Sequence, residues 1–231
     1  MKAIVTGAAG FIGFHVASRL VSEGFDVLAI DNLNDYYPVA LKETRLSVLQ
    51  GKRSNRFVQA NIANPQELAS AIAHDLDADI IVHLAAQAGV RYSVENPAVY
   101  VDANVQGQVT IFEQARKMTK CPPIVYASSS SVYGANKKVP FAENDPVDQP
   151  VSVYAVTKRS AELLAHSYKR VHNVNSTGLR FFTVYGPYGR PDMAPWLFTD
   201  AILRGEPIKV YNHGNMERDF TFIDDIVNGV Y

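Results

Sequence analysis

The stretch that most narrows what this chain can fold into is Gly7-Ala-Ala-Gly10-Phe-Ile-Gly13, which directly follows the apolar run Lys2-Ala-Ile-Val-Thr6. Apolar positions at Val16, Ala17 and Leu20 come next, so the order reads strand, glycine turn, helix. Glycine removes the side chain that would block a pyrophosphate, and the helix start offers free N–H groups and a positive dipole end. Asp26-Val-Leu-Ala-Ile30 predicts a second strand, closed by Asp31 where an acid accepts adenosine ribose hydroxyls. Strand, glycines and acid together predict an α/β fold, a Rossmann-type doubly wound parallel sheet. A carboxylate at 31 repels a 2′-phosphate, so NAD is expected over NADP. Phe11, Ile12 and Asn32 join Gly7, Gly10, Gly13 and Asp31 as expected cofactor contacts.

Further along, Leu41, Arg45, Val48 and Leu49 have helical spacing, Arg56-Phe-Val-Gln59 predicts a third strand, and Pro65 to His74 a helix. Asp79-Ile-Ile-Val-His-Leu84 predicts a buried fourth strand, followed by the small pair Ala85-Ala86. Pro97 to Met118 reads as one long helix carrying Asn104 near its middle, and Pro122 to Ala127 as a fifth strand. In open α/β sheets, ligands sit at the carboxyl ends of the strands, where Gly7, Asp31, Ala85 and Ser128 all fall. His83, inside an apolar strand, is expected to be a satisfied core histidine. None of the six histidines has metal-ligand spacing with an acid or thiol, so no metal is expected.

Composition bounds the function classes. The 231 residues suffice for one large α/β domain or a domain and a half. With 22 Lys+Arg against 23 Asp+Glu, no bulk field favours nucleic acid or an anionic membrane. The single Cys121 excludes an internal disulfide and suits a reducing cytoplasm. Glycines interrupt the apolar N-terminal run and Arg19 follows closely, so neither a signal peptide nor a membrane span is expected.

Chemistry concentrates at Tyr154-Ala-Val-Thr-Lys158, just downstream of Ser128 to Ser131. Residues four apart share a helix face, which sets Lys158 beside Tyr154. A tyrosine becomes a useful base only where something stabilises its phenolate; Lys158 is the expected cation, and a hydroxyl of the serine run the group that orients a substrate oxygen.

The glycine turn, the His83-Leu-Ala-Ala run, the serines leading to Val132-Tyr133-Gly134 and Tyr154-x-x-x-Lys158 together resemble the extended short-chain dehydrogenase/reductase family. Asp31-Asn-Leu-Asn-Asp-Tyr-Tyr37, Ala85 to Tyr92, Arg180 to Pro187 and Gly189-Arg-Pro-Asp-Met193 are similar to its UDP-glucuronate 4-epimerase subgroup. The resemblance implies bound NAD, a UDP-sugar substrate and redox-neutral epimerisation at C4 through a 4-keto sugar. By it, Tyr154 is the acid/base, Lys158 holds the nicotinamide ribose, and Ser129 bonds the reacting oxygen. Ser130 and Ser131 replace the acids of related dehydratases and decarboxylases, which disfavours elimination and decarboxylation. Asn61, Ile62, Leu84, Ala85, Ala86, Asn104 and Ser128 are implied cofactor contacts. Arg91, Ser129, Ser130, Ser131, Thr183, Arg190 and Arg218 are implied on the substrate side, with Thr183 and Arg190 facing a C6 carboxylate and Arg218 the diphosphate.

The resemblance further implies a cytoplasmic homodimer formed through Pro97 to Met118 and Ser152 to His172. Residues 1–182 are expected to form the NAD-binding domain and 183–231 an incomplete C-terminal substrate-binding portion interleaved with it. There, Met193 to Arg204 predicts a helix, Ile208 to Tyr211 a strand, and Asp224 and Asp225 helix caps. Two departures stand out: Asn61 occupies a position where the family usually has Asp, and the chain ends at Tyr231, early in a helix. If 231 residues is the whole polypeptide, weak turnover with NAD binding kept is expected. The alternatives are an epimerase of a neutral UDP-sugar and a truncated, non-catalytic NAD-binding protein.

Overall fold

Strand β1 (Lys2–Thr6) is central because both its faces are apolar: Ile4 packs in one cluster, Ala3 and Val5 in the other. The computed structural model describes residues 1–51 and 55–231. Around β1 lie β2 (Asp26–Asp31), β3 (Asn55–Gln59), β4 (Ile80–His83), β5 (Ile124–Ser129) and β6 (Ser176–Phe181), all parallel, in the order β3-β2-β1-β4-β5-β6. Thr6 is in register with Ile30 on one side and His83 on the other, so the ends of β1, β2 and β4 form one rim. The order reverses at β1 and β4, which opens the crevice where such sheets bind ligands.

Helices α1 (Phe11–Ser22) and α2 (Val39–Gln50) cover one face, while α3 (Pro65–Ala71) covers the other. After the short α4 (Tyr92–Glu95) and α5 (Pro97–Tyr100), a π-helical segment at Val101–Gln106 precedes α6 (Gly107–Ala115). The single helix expected over 97–118 is therefore broken. Asn104 is buried in the π segment, donating to the Gln87 carbonyl at 3.0 Å and to Thr157 Oγ1 at 2.9 Å while accepting the Gln87 N–H at 2.8 Å. The wider π turn is thus held by tertiary hydrogen bonds, which no local propensity announces.

Helix α7 (Val153–His172) packs beside α6 through Ala161 and Ala165, and Ser152 caps it by accepting the Ala155 N–H at 3.1 Å. Beyond it, β7 (Thr183–Tyr185) pairs in parallel with β8 (Phe220–Phe222), flanking α8 (Ala194–Arg204) in sequence. Helix α9 (Ile223–Val230) returns to the α1 face through Ile223 and Val227.

Four sequence readings need correction. The fifth strand runs on to Ser129, so two serines belong to the sheet, and the helix begun at Pro65 stops at Ala71. Residues 208–211 form no strand; all four are exposed, and no neighbouring strand pairs with them. Asp224 and Asp225 sit in the first turn of α9 and do not cap it; they favour its dipole from inside.

Candidate active site

The glycine turn is built by close backbone approach. Gly7 has φ +71°, and a Cβ there would lie 2.6 Å from the Ala85 nitrogen. A Cβ at Gly13 would meet the Gly7 carbonyl oxygen at 2.0 Å. Helix α1 therefore starts against bare backbone, with no side-chain cap on its N-terminus. Gly7, Gly10, Phe11, Ile12 and Gly13 line one stretch of a cleft of about 240 Å³.

Asp31, at the end of β2, is fixed by the loops it separates. It accepts the Ala9 N–H on Oδ2 at 3.1 Å and the Leu33 N–H on Oδ1 at 2.9 Å. Asn32, Asn61 and Ile62 line the same end of the cleft, and Leu84, Ala85 and Ala86 its floor. Asn61 Oδ1 is already engaged by the Ala63 N–H at 3.0 Å. Asn104 does not line the cleft; it braces the Gln87 backbone, which does.

Two cations here were missed as site residues. Lys42 lines the cleft and donates to the Asn34 carbonyl and Oδ1, each at 2.7 Å; burial lowers its amine pKa. Arg45 is fully buried and donates to the Ala9 carbonyl at 2.9 Å, the Tyr37 hydroxyl at 2.7 Å and the Tyr188 carbonyl at 2.8 Å. It ties the glycine turn to the segment that carries Arg190. An arginine in register with Leu41 and Leu49 on an apolar helix face was the available signal.

At the other end of the cleft, Tyr154 and Lys158 project from the first turns of α7. Burial raises the Tyr154 phenol, while a hydrogen bond with Ser129 and then the charge of Arg190 work to lower it. Sequence spacing had singled out Lys158 for that electrostatic task. In the structure Lys158 Nζ is 6.0 Å from the Tyr154 ring centroid and donates to the Ala127 carbonyl at 2.9 Å. Burial lowers its own pKa to about 8. Arg190, brought in by a distant loop, adds a second cation whose charge works to lower the phenol.

Ser128 and Ser129 line the cleft, whereas Ser130 and Ser131 turn away into a 3₁₀ segment and do not. Ser129 Oγ accepts the Ser131 N–H at 3.2 Å. Ser128 donates to Glu162 at 2.6 Å, and Arg180 grips that carboxylate at two points, 2.9 and 3.0 Å. Of the other residues expected on the substrate side, Arg190 alone reaches the cleft. Thr183 does not line it, although Phe182 and Val184 do. Arg91 is taken by Tyr211, donating to its hydroxyl at 2.7 Å and lying 4.1 Å over its ring. Arg218 is exposed and bonds the neighbouring Glu217 carbonyl; solvation satisfies its charge outside the cleft.

His83 is the core histidine expected: buried, 2.7 Å from Thr6 Oγ1 through Nδ1, with its pKa pushed down to about 3 by burial. Among the described residues no His, Cys, Asp or Glu cluster has metal-binding geometry, and no helix is long and apolar enough to cross a membrane.

A parallel sheet in this order, with a glycine turn and a Tyr-x-x-x-Lys helix at opposite ends of one cleft, defines a dinucleotide-dependent protein of the Rossmann class. Residues 3–231 match the NAD dependent epimerase/dehydratase family, and the chain belongs to it. Protein CapI of Staphylococcus aureus is 51% identical over 230 residues, which span 100% of this chain and 68% of CapI. A probable UDP-glucuronate 4-epimerase of Rhizobium meliloti is 50% identical over 100% of this chain and 67% of its own length. The crystal structure of UDP-glucuronic acid 4-epimerase from Bacillus cereus, in complex with UDP-glucuronic acid and NAD, matches with a TM-score of 0.91 at 34% identity, over 99% of this chain and 71% of that one.

Proposed function

We propose that this chain epimerises a UDP-sugar at C4 with NAD, and that UDP-glucuronate is the sugar nucleotide it takes. The observation that carries this reading is the convergence of Ser129 and Arg190 on half-buried Tyr154, in a cleft whose far end is the glycine turn. The names and bound ligands of the relatives support it. The residues present fit NAD: the cradle at Gly7 and Gly13 excludes any Cβ, the α1 N-terminus is uncapped, and Asp31 is held at the strand end. Gly7, Gly10, Phe11, Ile12 and Gly13 would hold the diphosphate, Asp31 and Asn32 the adenosine ribose, and Asn61 and Ile62 the adenine. Leu84, Ala85, Ala86, Ser128 and Lys158 would flank the nicotinamide half. Bound there, NAD supplies reversible hydride acceptance.

The chain itself moves the proton. Tyr154 takes it from the sugar C4 oxygen and returns it after the 4-keto sugar has shown its other face, while Ser129 holds that oxygen. Lys158, mostly cationic at neutral pH, binds the nicotinamide ribose. Arg190 meets the C6 carboxylate. No carboxylate follows Ser129, so neither Ser130 nor Ser131 can act as the base that elimination needs. Residues 1–182 serve the cofactor and 183–231 the sugar nucleotide. The protein works as a cytoplasmic homodimer, a reading supported by the lone free Cys121 and by exposed Val156 and Leu163 on α7.

Incubation with UDP-glucuronate should yield UDP-galacturonate, and Tyr154→Phe should slow this by about 10²- to 10⁴-fold. No product alongside clear NAD binding would overturn the reading. One observation favours a neutral UDP-sugar instead: Asp192 neutralises Arg190. Equal turnover of UDP-glucose would decide for that second reading.

A further inference from the structure

At the substrate end of the cleft the Arg190 guanidinium already has a carboxylate on one edge. Its Nε donates to Asp192 Oδ1 at 3.0 Å, its Nη2 donates to Asp192 Oδ2, and the Tyr36 hydroxyl donates to the same Oδ2 at 3.0 Å. Tyr36 reaches this point only because position 89 is glycine, with φ +100°; a Cβ there would lie 2.3 Å from the Tyr36 oxygen. The clamp thus joins three loops: the one after β2, the one after β4, and the one after β7. Burial opposes both charges, yet their mutual hydrogen bonds outweigh it, holding Asp192 below the usual carboxylate range and Arg190 above its own. The pair is ionised and its net charge is zero. A guanidinium has five N–H donors, so the edge carrying Nη1 and the second Nη2 proton remains for a ligand.

We propose that Asp192, seated by Tyr36, is a specificity-determining and positioning residue: it occupies one edge of Arg190, so that a sugar carboxylate gains only the other edge. This rests on the reading that the substrate is a carboxylated UDP-sugar. The physical reason is the turn that the sugar must make between its two faces. A full two-point grip on the carboxylate, unopposed by a neighbouring anion, would strengthen ground-state binding without helping the transition state. Asp192 keeps Arg190 aimed at Tyr154 and the substrate while weakening that grip.

The test compares wild type, Asp192→Asn and Tyr36→Phe by steady-state kinetics with UDP-glucuronate and by calorimetry with UDP-glucuronate and UDP-glucose. Removing one negative charge several ångströms from the carboxylate, at an intermediate effective dielectric, should lower the KM for UDP-glucuronate about tenfold. The kcat should fall with it, and UDP-glucose affinity should stay unchanged. Tyr36→Phe, which deletes a single oxygen, should move the same quantities in the same direction by less, and decides the matter if Asp192→Asn does not fold. A raised KM, or equal losses for both nucleotides, would make Asp192 a structural brace and sink the proposal. Wild type that converts UDP-glucuronate, with variants that match it, overturns this inference alone. Wild type that binds UDP-glucose and not UDP-glucuronate overturns the carboxylated-substrate reading, and the inference with it.

Discussion

Lys158 is a charge set where the fold would gain by losing it. Its pKa is about 8 in the folded chain against 10.5 for the free side chain, and burial is the cause. Below pH 8 both folded and unfolded chains carry the proton, so the fold bears the whole cost of burying it. Between pH 8 and 10.5 the folded amine loses its proton first and the cost is relieved. Lys158→Met should therefore raise the unfolding free energy at pH 7 by up to about 3 kcal/mol, and the gain should vanish near pH 10.5. Urea titrations at the two pH values check this; a gain equal at both would place its origin in packing. A residue kept against stability in this way marks a working site. Tyr154 differs: burial lifts its phenol, so it stays neutral at pH 7 and buries no charge, while Ser129 and Arg190 work to lower it.

The glycine turn and the start of α1 form one element whose geometry tolerates no substitution. The Gly13 position faces the Gly7 carbonyl so closely that an added methyl must push the helix off the strand. Gly13→Ala should cost roughly 3 kcal/mol, as overpacking of a tight contact does, and NAD binding should weaken with it. Thermal melts and calorimetry with NAD test the pair of effects; a stable variant with intact NAD affinity would contradict the close approach. The helix expected from 97 to 118 teaches the opposite lesson. Its apolar spacing spoke for an unbroken helix, and the break at Val101–Gln106 arises because Asn104 turns inward to satisfy Gln87 and Thr157.

At the scale of the whole molecule, Arg45 couples the two halves of the cleft. Its guanidinium bridges the Ala9 carbonyl beside the glycine turn and the Tyr188 carbonyl two residues before Arg190. Arg45→Met, similar in volume, should leave the buried Ala9 carbonyl unpaired at a cost of about 2 kcal/mol, or roughly 4–8 °C in Tm. NAD affinity and the preference for UDP-glucuronate over UDP-glucose should fall together. Loss of one without the other would show the two loops to be independent. The sequence by itself determined the sheet, because glycine turn, continuous apolar strand runs and Asp31 act through local backbone geometry and burial on both faces. It likewise placed the glycine cradle, Ser129, Tyr154 and Lys158, which sit at the ends of regular elements. Only the tertiary structure decided which cations reach the cleft. A guanidinium's position is set by whatever distant acceptor satisfies it, so Arg91 went to Tyr211, Arg218 to solvent, Arg45 to the interior, and Arg190 to Asp192 beside Tyr154.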